Sequence, residues 1–296
     1  MLDGKALAEK IRLDHAGAID ALKRRGRRLR LVAIQVGSVP AAEAYLRGQR
    51  RGAQAWGIEY ELRTLDADAS ERDVRQAIAA ANDDPGVTGV LLQLPLPAAL
   101  PARALQREIA PRKDVEGVHP ENLGHVVHGR DGLAPCTALA VMALLESSGA
   151  TIRGAEAVVV GHSEIVGKPV ALMLLARDAT TSVCHKFTKD LAAHTRTADL
   201  LVVAVGRPSL IGAAMVKPGA VVVDVGINAV TGPDGKPGLV GDVDFDALVA
   251  KGCLVTPVPG GVGPVTVAML MRNTVIAAQA IAPADEDPTP LLFPDE

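Results

Sequence analysis

Apolar positions along the chain fall into a helical period and short continuous runs. Leu7, Ile11, Ala18 and Leu22 recur at helical spacing and predict one helix that Gly26 stops. Apolar runs at 31–36, 157–160, 200–205 and 221–225 read as buried strands, and 58–65, 87–92, 181–185 and 254–256 as further strands. Helical patterns separate them. One carries Tyr45 and Gln49 on a single face, with Ser38 as its cap, Pro40 in its first turn and Gly57 at its end. Another starts at Ser70 and holds Val74, Ala77 and Ile78. Residues 137–148 predict a linking helix stopped by Gly149, and 228–238 a turn-rich excursion.

Strands alternating with helices imply parallel sheets, hence an α/β fold. Ligands on such sheets bind at the carboxyl ends of the strands. The loop after the first strand, the segment 93–97 and the loop 113–124 all lie at that edge. Tyr45, Gln49, Gln93, Asp114 and Glu116 then converge in one cleft, unless each is simply a surface polar group.

Composition narrows the picture. A chain of 296 residues with 48% hydrophobic content can bury the cores of two domains. Aromatics are only 2%, so those cores must be aliphatic. A net charge of −3 argues against a nucleic-acid partner, and the basic stretch 23–30 reads as the solvated end of a helix. Cys136, Cys184 and Cys253 are far apart, with neither disulfide nor metal spacing, which suits a reducing cytoplasm. His119, His125 and His128 read as solvated loop positions rather than metal ligands. No apolar run reaches membrane-spanning length, and Asp3, Lys5 and Glu9 stand where a signal peptide would be apolar. The expectation is a cytoplasmic protein with no membrane partner. Residues 283–296 are rich in Pro and acid and read as a disordered tail.

Two segments carry candidate chemistry. In 256–270, Pro257, Pro259, Pro264, Gly260, Gly261 and Gly263 form a stiff loop that opens an apolar helix, which reads as a ligand wall. At 157–175 a strand runs into Gly161-His162-Ser163-Glu164-Ile165-Val166-Gly167-Lys168-Pro169 and then a helix. Strand, glycine turn and helix is the phosphate-cradling arrangement of a dinucleotide site, although Ser163 stands where the usual motif has its middle glycine. The following strand ends in His185-Lys186 without the acid that commonly holds the ribose of NAD. A cation there suits the extra phosphate of NADP, and equally a lysine that faces water. Gly206 and Gly226 end two further strands, where backbone approaches a ligand.

The stretches VLLQLPLP, KDVEGVHPENLG, VVVGHSEIVGKP, VVDVGIN, VGDVDF and TPVPGGVGPVTVAML together resemble the bifunctional methylenetetrahydrofolate dehydrogenase/cyclohydrolase family, from Leu2 to about Ala282. The resemblance implies two α/β domains around a cleft, the second a Rossmann-like nucleotide domain, and a homodimer through it. It implies a folate/catalytic domain at 1–133 completed by a C-terminal helix at 264–282, and an NADP-binding domain at 134–263. Tetrahydrofolate derivatives would lie between the walls at Gln93, Leu94 and Pro95 and at Pro259, Gly260 and Gly261. Tyr45 matches the pterin-stacking tyrosine and Gln93 the active-site glutamine. NADP, with NAD the less favoured cofactor, would meet Gly161, His162, Ser163, Ile165, Val166, Gly167, His185, Lys186, Gly206, Gly226 and Ile227. No metal is implied.

The chain departs from that pattern at the centre of the chemistry. Gln49 replaces the family's lysine, Ala42 its serine, Glu116 its second aspartate and Ala138 its proline. Hydride removal from the folate methylene carbon needs positioning, whereas hydrolysis of the resulting methenyl cation needs a titratable side chain. The expectation is a dehydrogenase whose cyclohydrolase activity is weak or absent. The alternatives are a folate- and NADP-binding paralogue without catalysis, or a dehydrogenase of another substrate.

Overall fold

The computed structural model describes residues 1–38, 40–130, 132–231 and 235–280, apart from the side chains of residues 40–42 and 44. The proposed tail 283–296, and residues 281–282 of the expected last helix, lie outside the described residues.

The chain opens with α1 (Gly4–Asp14) and α2 (Ala16–Arg24), and continues through β1 (Arg30–Val36), α3 (Pro40–Trp56), β2 (Glu59–Leu65), α4 (Glu71–Asp83), β3 (Gly89–Leu92), α5 (Ala102–Gln106) and α6 (Pro120–Val127). The three strands form one parallel sheet in the order β2-β1-β3. After α7 (Cys136–Ser147) come β4 (Glu156–Val160), α8 (Gly167–Leu175), β5 (Thr180–Cys184), α9 (Leu191–Thr195), β6 (Leu200–Val203) and β7 (Val221–Asp224). A hairpin of β8 (Asn228–Thr231) and β9 (Pro237–Val240) precedes α10 (Phe245–Ala250), β10 (Leu254–Val255) and α11 (Val262–Ala280). The second sheet is parallel, in the order β10-β7-β6-β4-β5. Strand order reverses at β4, so the carboxyl edge around β4 and β6 forms the crevice where such sheets bind ligands.

The structure differs from the sequence pattern in four places. The single N-terminal helix is two. At His15 the backbone amide turns back to Arg12 and Leu13, and the ring Nδ1 lies 2.8 Å from the Ile11 carbonyl. The ring also packs 5.7 Å from Trp56. Helical periodicity survives because Ile11, Ile19 and Leu22 still enter one core. The excursion at 228–238 contains an antiparallel pair, with Asn228 opposite Val240 and Ala229 opposite Leu239. The strand expected at 200–205 stops at Val203, because the Asp242 carboxylate takes the amides of Val205, Gly206 and Arg207 at 2.7, 2.9 and 2.8 Å. The basic stretch is also less uniform than a solvated helix end. Arg30 lies on β1 and pairs with Glu59, Glu61 and Asp84.

α11 packs against α1, α2, α3 and α7. Its Asn273 is fully buried and donates to the carbonyls of Val115 and Ala134 at 2.9 and 3.0 Å. One amide therefore fixes both the loop that carries Glu116 and the entry to α7.

Candidate active site

The site is assembled at the carboxyl edge of the first sheet. β1 hands the chain to α3, which places Tyr45 and, one turn deeper, Gln49. Gln93 follows β3 directly, and its amide donates to the Ile34 carbonyl at 2.8 Å, continuing the ladder. Gln49 is 0% exposed and Gln93 4%. Gln49 Oε1 accepts two bonds, from Gln93 Nε2 at 2.6 Å and from the Tyr60 hydroxyl at 2.7 Å. Gln49 Nε2 is buried and makes no hydrogen bond of proper geometry.

Tyr45 stands over this pair. Its ring is 41% exposed, yet its hydroxyl end is desolvated. Burial, with Cys136 and Glu116 beside it, raises the phenol well above its ordinary pKa, and the neighbouring Gln49 amide offsets part of that. Glu116 faces the same space. Burial first, then the Asp114 carboxylate, push its carboxyl up to about 8, against a long contact from Gln106 Nε2 at 3.5 Å. Cys136 Sγ lies 3.2 Å from the Val115 carbonyl, and burial raises its thiol. Tyr45, Gln49, Gln93 and Glu116 are thus brought together.

Asp114 is not part of the cleft surface. It is 0% exposed and accepts from the amides of Gly117 and His119, and from Asn122 Nδ2, at 3.2, 2.7 and 2.8 Å. It shapes the loop that delivers Glu116. His119 caps α6 by accepting from the Glu121 amide at 3.1 Å, and His125 lies on α6 rather than in a loop. Among the described residues no group of three His, Cys, Asp or Glu is arranged to hold a metal.

The two walls differ in support. Leu94 is 40% exposed and precedes a cis bond to Pro95, and the Val258–Pro259 bond is also cis. The loop 257–261 rests on the start of α1. A Cβ added to Gly4 would sit 1.8 Å from the Gly261 carbonyl oxygen, so only glycine allows this approach. Leu2 donates its amide to the Val255 carbonyl at 3.0 Å beside it. Sequence reasoning passed over Gly4, Tyr60 and Asn273 as site residues. Gly4 precedes the helical pattern that begins at Leu7, and Tyr60 and Asn273 act through tertiary contacts with no local spacing.

At the second sheet, the loop after β4 fits a dinucleotide. Gly161 has φ +117°, and a Cβ there would lie 2.3 Å from the Ala204 carbonyl oxygen. A Cβ on Gly167 would lie 2.1 Å from the Gly161 oxygen. Both glycines are therefore required by close backbone packing, Gly161 against the end of β6 and Gly167 against the loop itself, which draws the start of α8 onto the end of β4. Ser163 Oγ accepts from the amides of Val166 and Gly167 at 3.2 and 3.4 Å, so the middle position of the motif ties the loop to the start of α8. His162 and His185 lie with ring centroids 5.1 Å apart, and Lys186 Nζ stands 4.9 Å from the Phe187 ring centroid. Gly206 and Gly226 follow the ends of β6 and β7 on this edge rather than ending those strands, and Ile227 is 64% exposed beside Gly226. Arg103 of α5 pairs with Glu164 of the loop at 3.4 Å, across the gap between the sheets.

Comparison with known proteins agrees with this geometry. The profile of the tetrahydrofolate dehydrogenase/cyclohydrolase catalytic domain matches residues 2–116, and that of the family's NAD(P)-binding domain matches 135–282. The chain is 50% identical over 279 residues to the bifunctional protein FolD of Bordetella avium, covering 94% of this chain and 97% of that one. A crystal structure of the bifunctional FolD enzyme, methylenetetrahydrofolate dehydrogenase/cyclohydrolase, from Campylobacter jejuni superposes with a TM-score of 0.89 at 42% identity, covering 94% and 98%. The Trypanosoma brucei enzyme, complexed with NADP cofactor and inhibitor, gives 0.88 at 37% identity, covering 95% and 97%. By its sequence along nearly its whole length and by the fold of both its sheets, this chain belongs to the tetrahydrofolate dehydrogenase/cyclohydrolase family.

Proposed function

We propose that the chain oxidises methylenetetrahydrofolate to methenyltetrahydrofolate with NADP, and that it hydrolyses the methenyl product weakly or not at all. The relatives' names support the first part. The observation that carries the second is the environment of Gln49, a fully buried amide hydrogen-bonded to Tyr60 and Gln93 where the family has a lysine.

Oxidation asks the chain for alignment. In this reading Tyr45 stacks on the pterin and Glu116 accepts from its donor edge. Gln93, Leu94 and Pro95 form one wall, and Pro259, Gly260 and Gly261 the other. When bound, NADP accepts the hydride that leaves the methylene carbon. The adjacent folate nitrogen supplies the electron pair that stabilises the new cation, so no protein group need move a proton. A neutral Gln49 places no positive charge beside that cation.

Hydrolysis differs, because the attacking water must lose a proton. A side chain of suitable pKa typically contributes ~10²–10⁴-fold to such a step. Gln49 has no proton to exchange. Glu116, pushed up to about 8 in the free chain, gives its carboxylate to the pterin donor edge in this reading, and so engaged it is not free to take the water's proton. Both tyrosines are raised further, Tyr60 to about 12 by burial first.

The proposed NADP contacts are Gly161, His162, Ser163, Ile165, Val166, Gly167, His185, Lys186, Gly206, Gly226 and Ile227, with Lys186 toward the extra phosphate. Residues 1–133 with 264–282 form the folate unit in this division, and 134–263 the nucleotide unit. The separate sheets and the return of α11 to α1 and α3 support it. The proposed homodimer through the nucleotide unit is supported by β5, an edge strand whose Val183 is 42% exposed.

The test is a rate of methenyltetrahydrofolate loss with and without the chain. Loss at the spontaneous rate supports the proposal. Enzyme-dependent loss as efficient as in a lysine-bearing relative rejects its second half, and no NADP reduction with methylenetetrahydrofolate rejects its first.

A further inference from the structure

We infer that Tyr60 is a positioning residue that fixes Gln49 so that it presents a hydrogen-bond donor, never an acceptor, to the bound folate. The inference rests on the folate reading above. An amide side chain has two ends of opposite polarity, and which end faces a ligand is set by what holds the other. Here Gln49 Oε1 is filled by two donors, Tyr60 Oη at 2.7 Å and Gln93 Nε2 at 2.6 Å. That leaves Nε2, buried and without a partner, on a residue that is 0% exposed and lies beside the Tyr45 hydroxyl.

A buried N–H without an acceptor costs free energy unless something arrives to accept it. The Tyr45 hydroxyl stands beside it but outside hydrogen-bond geometry. A folate carbonyl or ring-nitrogen lone pair is an acceptor of the right class. Tyr60 is suited to its part because it reaches Gln49 from β2, a strand whose register with β1 is fixed by seven residue pairs. Its ring packs against the core cluster that also holds Ala53 and Leu91. Its hydroxyl stays protonated and so remains a donor. Without that hydroxyl, Gln49 Oε1 keeps only Gln93, itself an amide able to turn over, and the pair can present either polarity.

The experiment compares wild type, Tyr60→Phe, Gln49→Ala and the double variant. With methylenetetrahydrofolate, Tyr60→Phe is expected to lower kcat/KM about tenfold while KM for NADP is unchanged. Adding it to Gln49→Ala is expected to cost nothing more. A wild-type kcat/KM in Tyr60→Phe, or fully additive losses, overturns the inference. On the wild-type chain the Tyr60 hydroxyl proton is expected to exchange slowly enough to be seen by NMR. A rapidly exchanging proton overturns the inference even where Tyr60→Phe does not fold. Should wild type reduce no NADP, the oxidation reading fails alone, and calorimetric titration of tetrahydrofolate into the same four chains decides the role of Tyr60 by the same pattern.

Discussion

At the scale of single residues, the account turns on groups whose charge is decided by burial. Glu116 is the clearest. With its carboxyl pushed up to about 8, the free chain at pH 7 holds it protonated, whereas a pterin donor edge needs the carboxylate. Folate binding should then release a proton, and affinity should rise about tenfold per pH unit below 8 and level off above it. Fluorescence titration from pH 6 to 9 measures this, with Glu116→Gln expected to be flat; a flat wild-type profile contradicts it. Gln49→Lys tests the other side. An amine at a fully buried position has its pKa lowered by desolvation, which makes it a base near neutrality. Methenyltetrahydrofolate hydrolysis should rise ~10²-fold or more with oxidation little changed. No gain would assign the obstacle to Glu116 instead. Tyr45, Gln49, Gln93 and Glu116 were legible in the sequence because each lies beside a strand end or in a distinctive stretch. Tyr60 was not, since an aromatic within a strand run reads as core until its hydroxyl finds a partner from another element. Asp114 was misplaced for the converse reason. Its neighbour Glu116 faces the cleft, but three inward donors turn Asp114 away.

At the scale of elements, β1, β3, β4, β6 and β7 were legible to within a residue or two because buried parallel strands are continuous apolar runs, whereas β2 and β5, at the sheet edges, are mixed and only partly buried. Their ends were less so, since β6 is cut short by a carboxylate from a distant loop. The α1–α2 break was hidden for a similar reason. A polar His15 does not interrupt an apolar period, and only its ring contacts mark the turn. The proline- and glycine-rich wall was recognisable, but not what it leans on. Gly4→Ala tests that contact. The added carbon has backbone on its far side, so the loop must move, at a cost of about 1–3 kcal/mol. Urea unfolding should show that loss, and KM for folate should rise with KM for NADP little changed. Unchanged stability and kinetics would mean that α1 does not set the wall.

At the scale of the whole molecule, an ion pair links α5 to the loop that follows β4. The Arg103–Glu164 pair is 76% and 49% exposed, and such pairs contribute about 0–1 kcal/mol, too little to hold the two together. α11 is the stronger tie, through its apolar packing and Asn273. The cofactor end can be tested apart from the chemistry. A ligand at 100 times its Kd stabilises the fold by about 2.7 kcal/mol, so at equal concentrations NADP should raise Tm more than NAD. Lys186→Ala should narrow that difference, and equal shifts in the wild type would remove Lys186 from the phosphate contact. The glycine turn after β4 was legible in the sequence; that Ser163 accepts from the amides of Val166 and Gly167 was not, because such bonds depend on loop geometry rather than spacing.

The most direct measurement follows both products of one reaction mixture: NADPH and methenyltetrahydrofolate, from methylenetetrahydrofolate and NADP. The account predicts equal amounts of each, with the methenyl compound then decaying at its spontaneous rate. NADPH accumulating while the methenyl compound is drained by the chain would contradict it.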